Sequence, residues 1–196
     1  MLEVRAGGRR RIDRVLDPAY RCGLSKLGLA EVRTRRDDAA QEETDLSYLR
    51  RLLHARIDIV RAEQRHRREI GSAPVVTELA RILAMNAVGP ATGSGRHQTQ
   101  RPSRAEAHRR HIEALVSDAG LSDVRSLSGV QLDDTLAAYC TEEGSVSQRR
   151  REVQRVVDIL NAEIGSRYAS GAASVDELLA EHRGLTEPGK TGTDRP

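Results

Sequence analysis

This sequence of 196 residues contains no phenylalanine, no tryptophan and only four tyrosines. Aromatic side chains supply much of the buried area in the cores of ordinary globular domains. Their scarcity argues against a thick mixed α/β core. The apolar residues are mainly leucine, valine, isoleucine and alanine, and charged residues make up 31% of the chain. This composition favours an all-α protein of long helices or a coiled coil, whose thin seam needs only aliphatic side chains.

Several classes of protein are disfavoured by other features that the sequence lacks. The two cysteines, Cys22 and Cys140, are too few for a disulfide framework, so we expect reduced thiols. No apolar run has the length that crosses a bilayer, and no apolar leader opens the chain. We therefore expect a cytoplasmic protein without membrane contact. The histidines show no metal-ligand spacing and no phosphate-binding glycine loop is present, so we expect no metal and no enzyme.

The basic residues are almost all arginine, since the only lysines are Lys26 and Lys190. The planar guanidinium suits bidentate contact with phosphate, carboxylate or a guanine edge. A GC-rich genome would also explain this usage. Because 32 basic residues face 29 acidic ones, the net charge is only +3, and the high pI is weak support for nucleic-acid binding.

Glycine and proline divide the chain into five predicted segments. These are a basic arm with a short apolar stretch (1–26), a long helix (27–70), a flexible linker with a possible short helix at Val75–Val88 (71–104), a short helix followed by a second long helix (105–170), and a short helix with a disordered tail (171–196). Capping sequences predict helix starts at Ser103, Ser128 and Ser174. Gly144 leaves open a bend in the second long helix.

One polar pattern occurs twice, one hundred residues apart, with the spacing Glu-x3-Ser-x2-Arg-x3-(His or Gln)-x3-Asp. The first copy is Glu43, Ser47, Arg50, His54 and Asp58, and the second is Glu143, Ser147, Arg150, Gln154 and Asp158. Steps of four, three, four and four residues place all five side chains on one stripe of a helix. Further matches at the same offset, such as Leu27 with Leu127 and Glu63 with Glu163, indicate the duplication of one helix.

An apolar arc lies beside each polar stripe on the helical wheel. Its members are Leu46, Leu49, Leu53, Ile57 and Val60 in the first copy, and Val146, Val153, Val156, Val157 and Leu160 in the second. This width is typical of a coiled-coil seam. If the two helices pair through these arcs, both polar stripes flank the pair. A simple solvated surface is the alternative, but Glu43 and Arg50 are seven residues apart and are not a local i,i+4 pair.

The residue types of the stripes indicate a ligand that carries guanine and phosphate. A carboxylate such as Asp58 or Asp158 can accept hydrogen bonds from the N1–H and N2–H edge of guanine. Arginine can contact phosphate or the O6 and N7 edge of guanine. Serine, histidine and glutamine add neutral donors and acceptors. Donor and acceptor chemistry thus indicates the ligand class, guanine with phosphate, and not one particular compound.

At these residues the sequence resembles the RsiG family, actinobacterial anti-sigma factors controlled by cyclic di-GMP. That family has this motif once on each of two coiled-coil helices, with glutamine at the fourth position. The second copy here matches at all five positions, and the first has His54 instead. Imidazole still donates or accepts a hydrogen bond, and it makes a mild pH dependence conceivable. The resemblance extends over roughly residues 10–70 and 125–168.

The resemblance implies an antiparallel coiled coil of two long helices with short accessory helices, which binds a cyclic di-GMP dimer across the ten motif residues. It also implies that the loaded protein sequesters a WhiG-like sigma factor and so blocks transcription of sporulation genes, without contacting DNA itself.

Two other classes of function stay open. Arginine clusters at 9–11, 65–68, 109–110 and 149–151 suit a basic nucleic-acid-binding protein, although no helix-turn-helix pattern or set of stacking aromatics accompanies them. The periodicity alone would also permit a coiled-coil scaffold without a nucleotide ligand.

Overall fold

The computed structural model describes residues 3–68, 75–86 and 121–171, which are mainly helical and contain no β-strand. The α-helices of the described residues are α1 (Arg11–Val15), α2 (Leu29–Arg68), α3 (Val75–Asn86) and α4 (Gly129–Ala169). Short 3-10 helices span Pro18–Arg21, Leu24–Lys26 and Leu121–Ser126. The expected all-α class is confirmed. The predicted helices that open at Ser103 and Ser174 lie outside the described residues.

Helices α2 and α4 pack against each other in antiparallel orientation. Near one end of the pair, Arg33 donates a hydrogen bond to the hydroxyl of Tyr168. Near the other end, Gln64 Nε2 donates to Asp133 Oδ1 at 2.7 Å. Residue numbers therefore rise along α2 while those of the facing residues fall along α4, as a hairpin of two long helices requires.

The seam between the two helices consists of the apolar arcs predicted from the sequence. All five members in α2 are buried, with Leu46, Leu49, Leu53 and Val60 at 0% exposure. In α4, Val146, Val153, Val156 and Leu160 are buried, and Val157 packs against them while partly exposed. Burial of each such side chain stabilises the fold by about 1.5–3 kcal/mol relative to leaving it in water. The aliphatic seam is thus the core of the molecule.

Helix α4 is continuous through Gly144. It begins with the predicted capping box, in which Ser128 Oγ accepts from the Gln131 backbone N–H and Gln131 Oε1 accepts from that of Ser128. Glycine within a helix costs about 1 kcal/mol relative to alanine. The buried neighbour Val146 packs in the seam with α2, so packing offsets this cost and the helix is not interrupted.

The duplication produces an approximate twofold axis, visible at both ends of the pair. Arg67, near the end of α2, binds Glu63 Oε1 at 2.7 Å and the carbonyl of Leu127 at 2.7 Å. Its counterpart Arg167, near the end of α4, binds Glu163 Oε1 at 2.8 Å and the carbonyl of Leu27 at 2.8 Å. Each arginine thereby ties the end of one long helix to the start of the other.

The predicted basic arm is in part a docked element. Ile12 and Val15 of α1 are buried against the long helices. Arg11 forms ion pairs with two acidic residues of α2, Glu42 and Asp45, which are 0% and 1% exposed. Buried carboxylates are costly unless they are paired, so this guanidinium belongs to the fold and is not available as a free cationic arm.

Other observations bear on predicted boundaries and chemistry. Helix α2 begins at Leu29 rather than at the predicted residue 27, because Leu24–Lys26 forms a separate 3-10 turn. The possible short helix predicted at Val75–Val88 forms as α3, Val75–Asn86, and packs on α2. Cys22 and Cys140 are free and exposed. In the described part of the chain no helix is both long and apolar enough to span a membrane.

Candidate functional site

The two motif copies meet at the middle of the helix pair through reciprocal ion pairs. Arg50 Nε donates to Glu143 Oε1 at 3.3 Å, and Arg150 Nη1 donates to Glu43 Oε1 at 2.9 Å. The pattern follows the twofold axis, which passes close to the buried residues Leu46 and Val146. Within each copy the arginine follows the glutamate by seven residues. Because the helices are antiparallel, each arginine pairs with the glutamate of the opposite helix.

Each serine of the motif supports the glutamate one turn before it. Ser47 Oγ donates to Glu43 Oε1 at 2.9 Å, and Ser147 Oγ donates to Glu143 Oε1 at 2.6 Å. The four-residue step between glutamate and serine gives this contact directly, because residues i and i+4 are neighbours on one helical face. The hydroxyls hold the carboxylates in position between the helices.

His54 makes the two halves of this cluster unequal. Its Nε2 lies 3.1 Å from Glu143 Oε1 but makes no hydrogen bond to the described residues. We therefore treat the contact as electrostatic. The corresponding residue of the second copy, Gln154, is exposed on α4. The single departure from the repeat thus lies in the contact region itself.

The environment of Glu143 stabilises its charged form. Burial by itself would raise the pKa of this carboxyl group. The Ser147 hydrogen bond, the charge of His54, and the hydrogen bond and charge of Arg50 outweigh burial, and the pKa is lowered. Glu143 is therefore an ionised acceptor at neutral pH, as a site that orients arginines requires.

The aspartates of the motif lie away from this central cluster. Asp58 follows Arg50 by eight residues and Asp158 follows Arg150 by eight, which is about 12 Å along each helix. Because the helices are antiparallel, the two aspartates lie at opposite ends of the cluster, about 30 Å apart along the axis. The predicted surface is thus elongated, with arginines at its centre and a carboxylate at each end.

The surroundings of the two aspartates differ. Asp58 is half-buried and lines a cavity of about 290 Å³ with Arg65 of α2 and with Arg81, Ile82 and Met85 of α3. Asp158 is exposed on α4. The possible short helix predicted at Val75–Val88 is present as α3, but its position beside Asp58 was not predicted. Ile82 was the available signal, since a buried isoleucine in a short apolar helix needs a surface to cover.

Of the ten predicted ligand residues, the structure joins seven through direct contacts. These are Glu43, Ser47, Arg50, His54, Glu143, Ser147 and Arg150. Two donor-capable nitrogens of this cluster, Arg150 Nε and His54 Nε2, are buried and hydrogen-bond to none of the described residues. Buried polar nitrogens normally have partners, so these two are exceptions among the described residues.

A comparison with protein families identifies the chain. The family model described as RsiG-like matches residues 18–83 and 118–182. These segments include both motif copies and both long helices, and together they make up more than half of the sequence. A search of curated proteins gives no match. The chain belongs to the RsiG-like family of anti-sigma factors, which is a family of regulators and not of enzymes.

Proposed function

We propose that this anti-sigma factor binds cyclic di-GMP through both motif copies and, when loaded, sequesters a WhiG-like sigma factor to block transcription of sporulation genes. The observation that carries the proposal is the pair of reciprocal Arg–Glu contacts at the centre of α2 and α4. They place two guanidinium groups on one surface, with an acidic residue at each end of it.

The ion pairs suit exchange with ligand phosphates. The side chains of Arg50 and Glu143 are 41% and 21% exposed, and those of Arg150 and Glu43 are 26% and 28% exposed. Ion pairs of this exposure contribute only about 0–1 kcal/mol. A phosphate can therefore replace a glutamate as the arginine's partner at little cost.

The aspartates and glutamates suit guanine rather than another base. Guanine has two adjacent donors, N1–H and N2–H, which a carboxylate accepts together. Adenine presents an acceptor at N1 and would face the negative charge unfavourably. In our proposal each phosphate lies near a central arginine, and each guanine extends along its helix towards Asp58 or Asp158.

The symmetry of the surface also supports a twofold ligand. Cyclic di-GMP contains two identical guanine nucleotides, and a stacked dimer of it contains four. The axis that relates Arg50 to Arg150 allows identical halves of such a ligand to make the same contacts on both helices. When two cyclic di-GMP molecules bind the elongated site, each molecule contacts one motif copy.

The sigma factor enters the proposal through the family and through thermodynamic linkage. A ligand shifts an equilibrium only by its difference in affinity for the two states. Cyclic di-GMP that bridges α2 and α4 favours the arrangement of helices in which both motifs contact it. If a WhiG-like sigma factor binds this same arrangement, nucleotide and sigma factor strengthen each other's binding.

Calorimetric titration of the purified chain with cyclic di-GMP tests the nucleotide step. We expect saturable binding, and no binding of cyclic di-AMP, which has the same phosphates but no guanine. Arg150→Ala should weaken binding about tenfold or more, because charge-assisted hydrogen bonds are lost. Arg151→Ala is the matched control, since it removes the same charge from an exposed neighbour. Equal effects of both substitutions, or equal binding of both dinucleotides, contradict the proposal.

Co-purification with a WhiG-like sigma factor tests the second step. We expect the complex in the presence of cyclic di-GMP and its loss when the nucleotide is removed. The double variant Asp58→Ala with Asp158→Ala should lose the complex under both conditions. If the sigma factor co-purifies equally with and without cyclic di-GMP, the chain is an anti-sigma factor that this nucleotide does not control.

A further inference from the structure

Among the described residues, the two motif aspartates at the ends of the elongated site differ in exposure. At the α2 end, the short helix α3 packs on α2 and encloses a cavity of about 290 Å³ beside Asp58. At the α4 end, the corresponding Asp158 is exposed. The enclosure of Asp58 by α3 is thus a feature that the motif alone does not specify.

The lining of the cavity has the chemistry of a purine pocket. Asp58 supplies a carboxylate, and Arg65 and Arg81 supply guanidinium groups from two different helices. Ile82 is 2% exposed and forms an apolar wall, and Met85 is 70% exposed at the rim. A thioether is polarisable and contacts aromatic rings favourably, and guanidinium groups stack on flat rings or bind the O6 and N7 edge of guanine.

The size of the cavity limits what it holds. Pockets that enclose whole drug-sized ligands span about 300–1,000 Å³. A volume of 290 Å³ lies just below that range, so the cavity suits one base and not an entire cyclic dinucleotide. The remainder of the ligand would extend along α2 towards Arg50.

We infer that α3 completes the first half-site, and that the cavity between α2 and α3 receives one guanine base of the ligand. Asp58 accepts from the N1–H and N2–H edge, Arg81 contacts the opposite edge or the adjoining phosphate, and Met85 covers the ring. This inference rests on the proposed function, and it adds residues that lie outside the repeated motif.

A double-mutant cycle tests this assignment, with cyclic di-GMP as the probe in calorimetric titrations. In the Asp158→Ala background, where the α2 half-site is left, Arg81→Ala should lower affinity about tenfold. In the Asp58→Ala background, Arg81→Ala should change affinity less than twofold, because the residue that orients the base is already absent. Alanine is the better helix former, and circular dichroism checks that α3 persists in each variant.

Two control variants distinguish the loss of a ligand contact in the cavity from a loss of charge or of packing elsewhere. Arg9→Ala removes the same charge from an exposed residue outside the cavity and should leave affinity unchanged. Leu83→Ala shortens a 55% exposed side chain of α3 that does not line the cavity, and it should also have no effect.

The outcomes distinguish this inference from the proposed function. If the wild-type chain does not bind cyclic di-GMP, the proposed function fails. If it binds, but Arg81→Ala has no effect or the same effect in both aspartate backgrounds, the proposed function stands and the role of α3 is wrong. A gain in affinity on Arg81→Ala would mean that α3 obstructs the half-site, and it would also overturn the inference.

Discussion

The arginines that tie the ends of the helix pair together allow a quantitative test of the twofold arrangement. Arg167 donates to Glu163 and to the carbonyls of Leu24 and Leu27, the latter two at 2.7 and 2.8 Å. Its side chain is 14% exposed, and that of Arg67 is 32% exposed. Hydrogen bonds from charged donors contribute about 1.5–3 kcal/mol when buried and less when solvated.

From these exposures we expect Arg167→Ala to lower the free energy of unfolding by about 2 kcal/mol, and Arg67→Ala to lower it by about 1 kcal/mol. In a protein of this size, 1 kcal/mol shifts Tm by about 2–4 °C. The predicted decreases in Tm are therefore about 4–8 °C and about 2–4 °C. Thermal unfolding followed by circular dichroism at 222 nm, the usual helix signal, measures both.

The two substitutions should be additive, because the sites lie at opposite ends of a 40-residue helix, about 60 Å apart. Arg151→Ala is the control, since this exposed arginine makes one bond to the Ser147 carbonyl of its own helix. We expect its effect to stay within about 0.5 kcal/mol. If Arg167→Ala melts at the same temperature as Arg151→Ala, the inter-helix role of these arginines is refuted.

Two further predictions concern single side chains. Tyr139→Phe should leave the free energy of unfolding unchanged or raise it by up to about 1 kcal/mol, as measured by urea unfolding. The reason is that Tyr139 is 0% exposed and its hydroxyl has no hydrogen-bond partner among the described residues. A decrease in the free energy of unfolding above about 1 kcal/mol would show that the hydroxyl is hydrogen-bonded. Burial raises the pKa of Tyr20 to about 12, above the usual value near 10. The unfolded chain therefore loses this proton at lower pH than the folded chain, and the free energy of unfolding should fall as pH rises from about 10 to 12. Tyr20→Phe should lack this decrease, and an equal decrease in the variant would mean that another group titrates.

The local patterns of the chain were sufficient to predict its long helices and their contact surfaces. The apolar arc from Leu46 to Val60 recurs at helical spacing, and an aliphatic stripe of that width becomes a seam wherever a partner helix is present. Because the helix is duplicated in the sequence, its partner helix carries the same aliphatic stripe. The capping box at Ser128 set the start of α4, because it satisfies backbone N–H groups within a few residues.

Contacts between residues far apart in sequence could only be decided by the tertiary structure. The reciprocal pairs Arg50–Glu143 and Arg150–Glu43 depend on antiparallel register, which a repeat in sequence does not specify. The same holds for α3, whose apolar face could have covered several surfaces and which lies beside Asp58. Helical spacing put five polar residues on each stripe, but packing divided them into a central cluster and two unequal ends. Periodicity is a property of one helix, whereas register and enclosure depend on how two or three helices bury their apolar faces together.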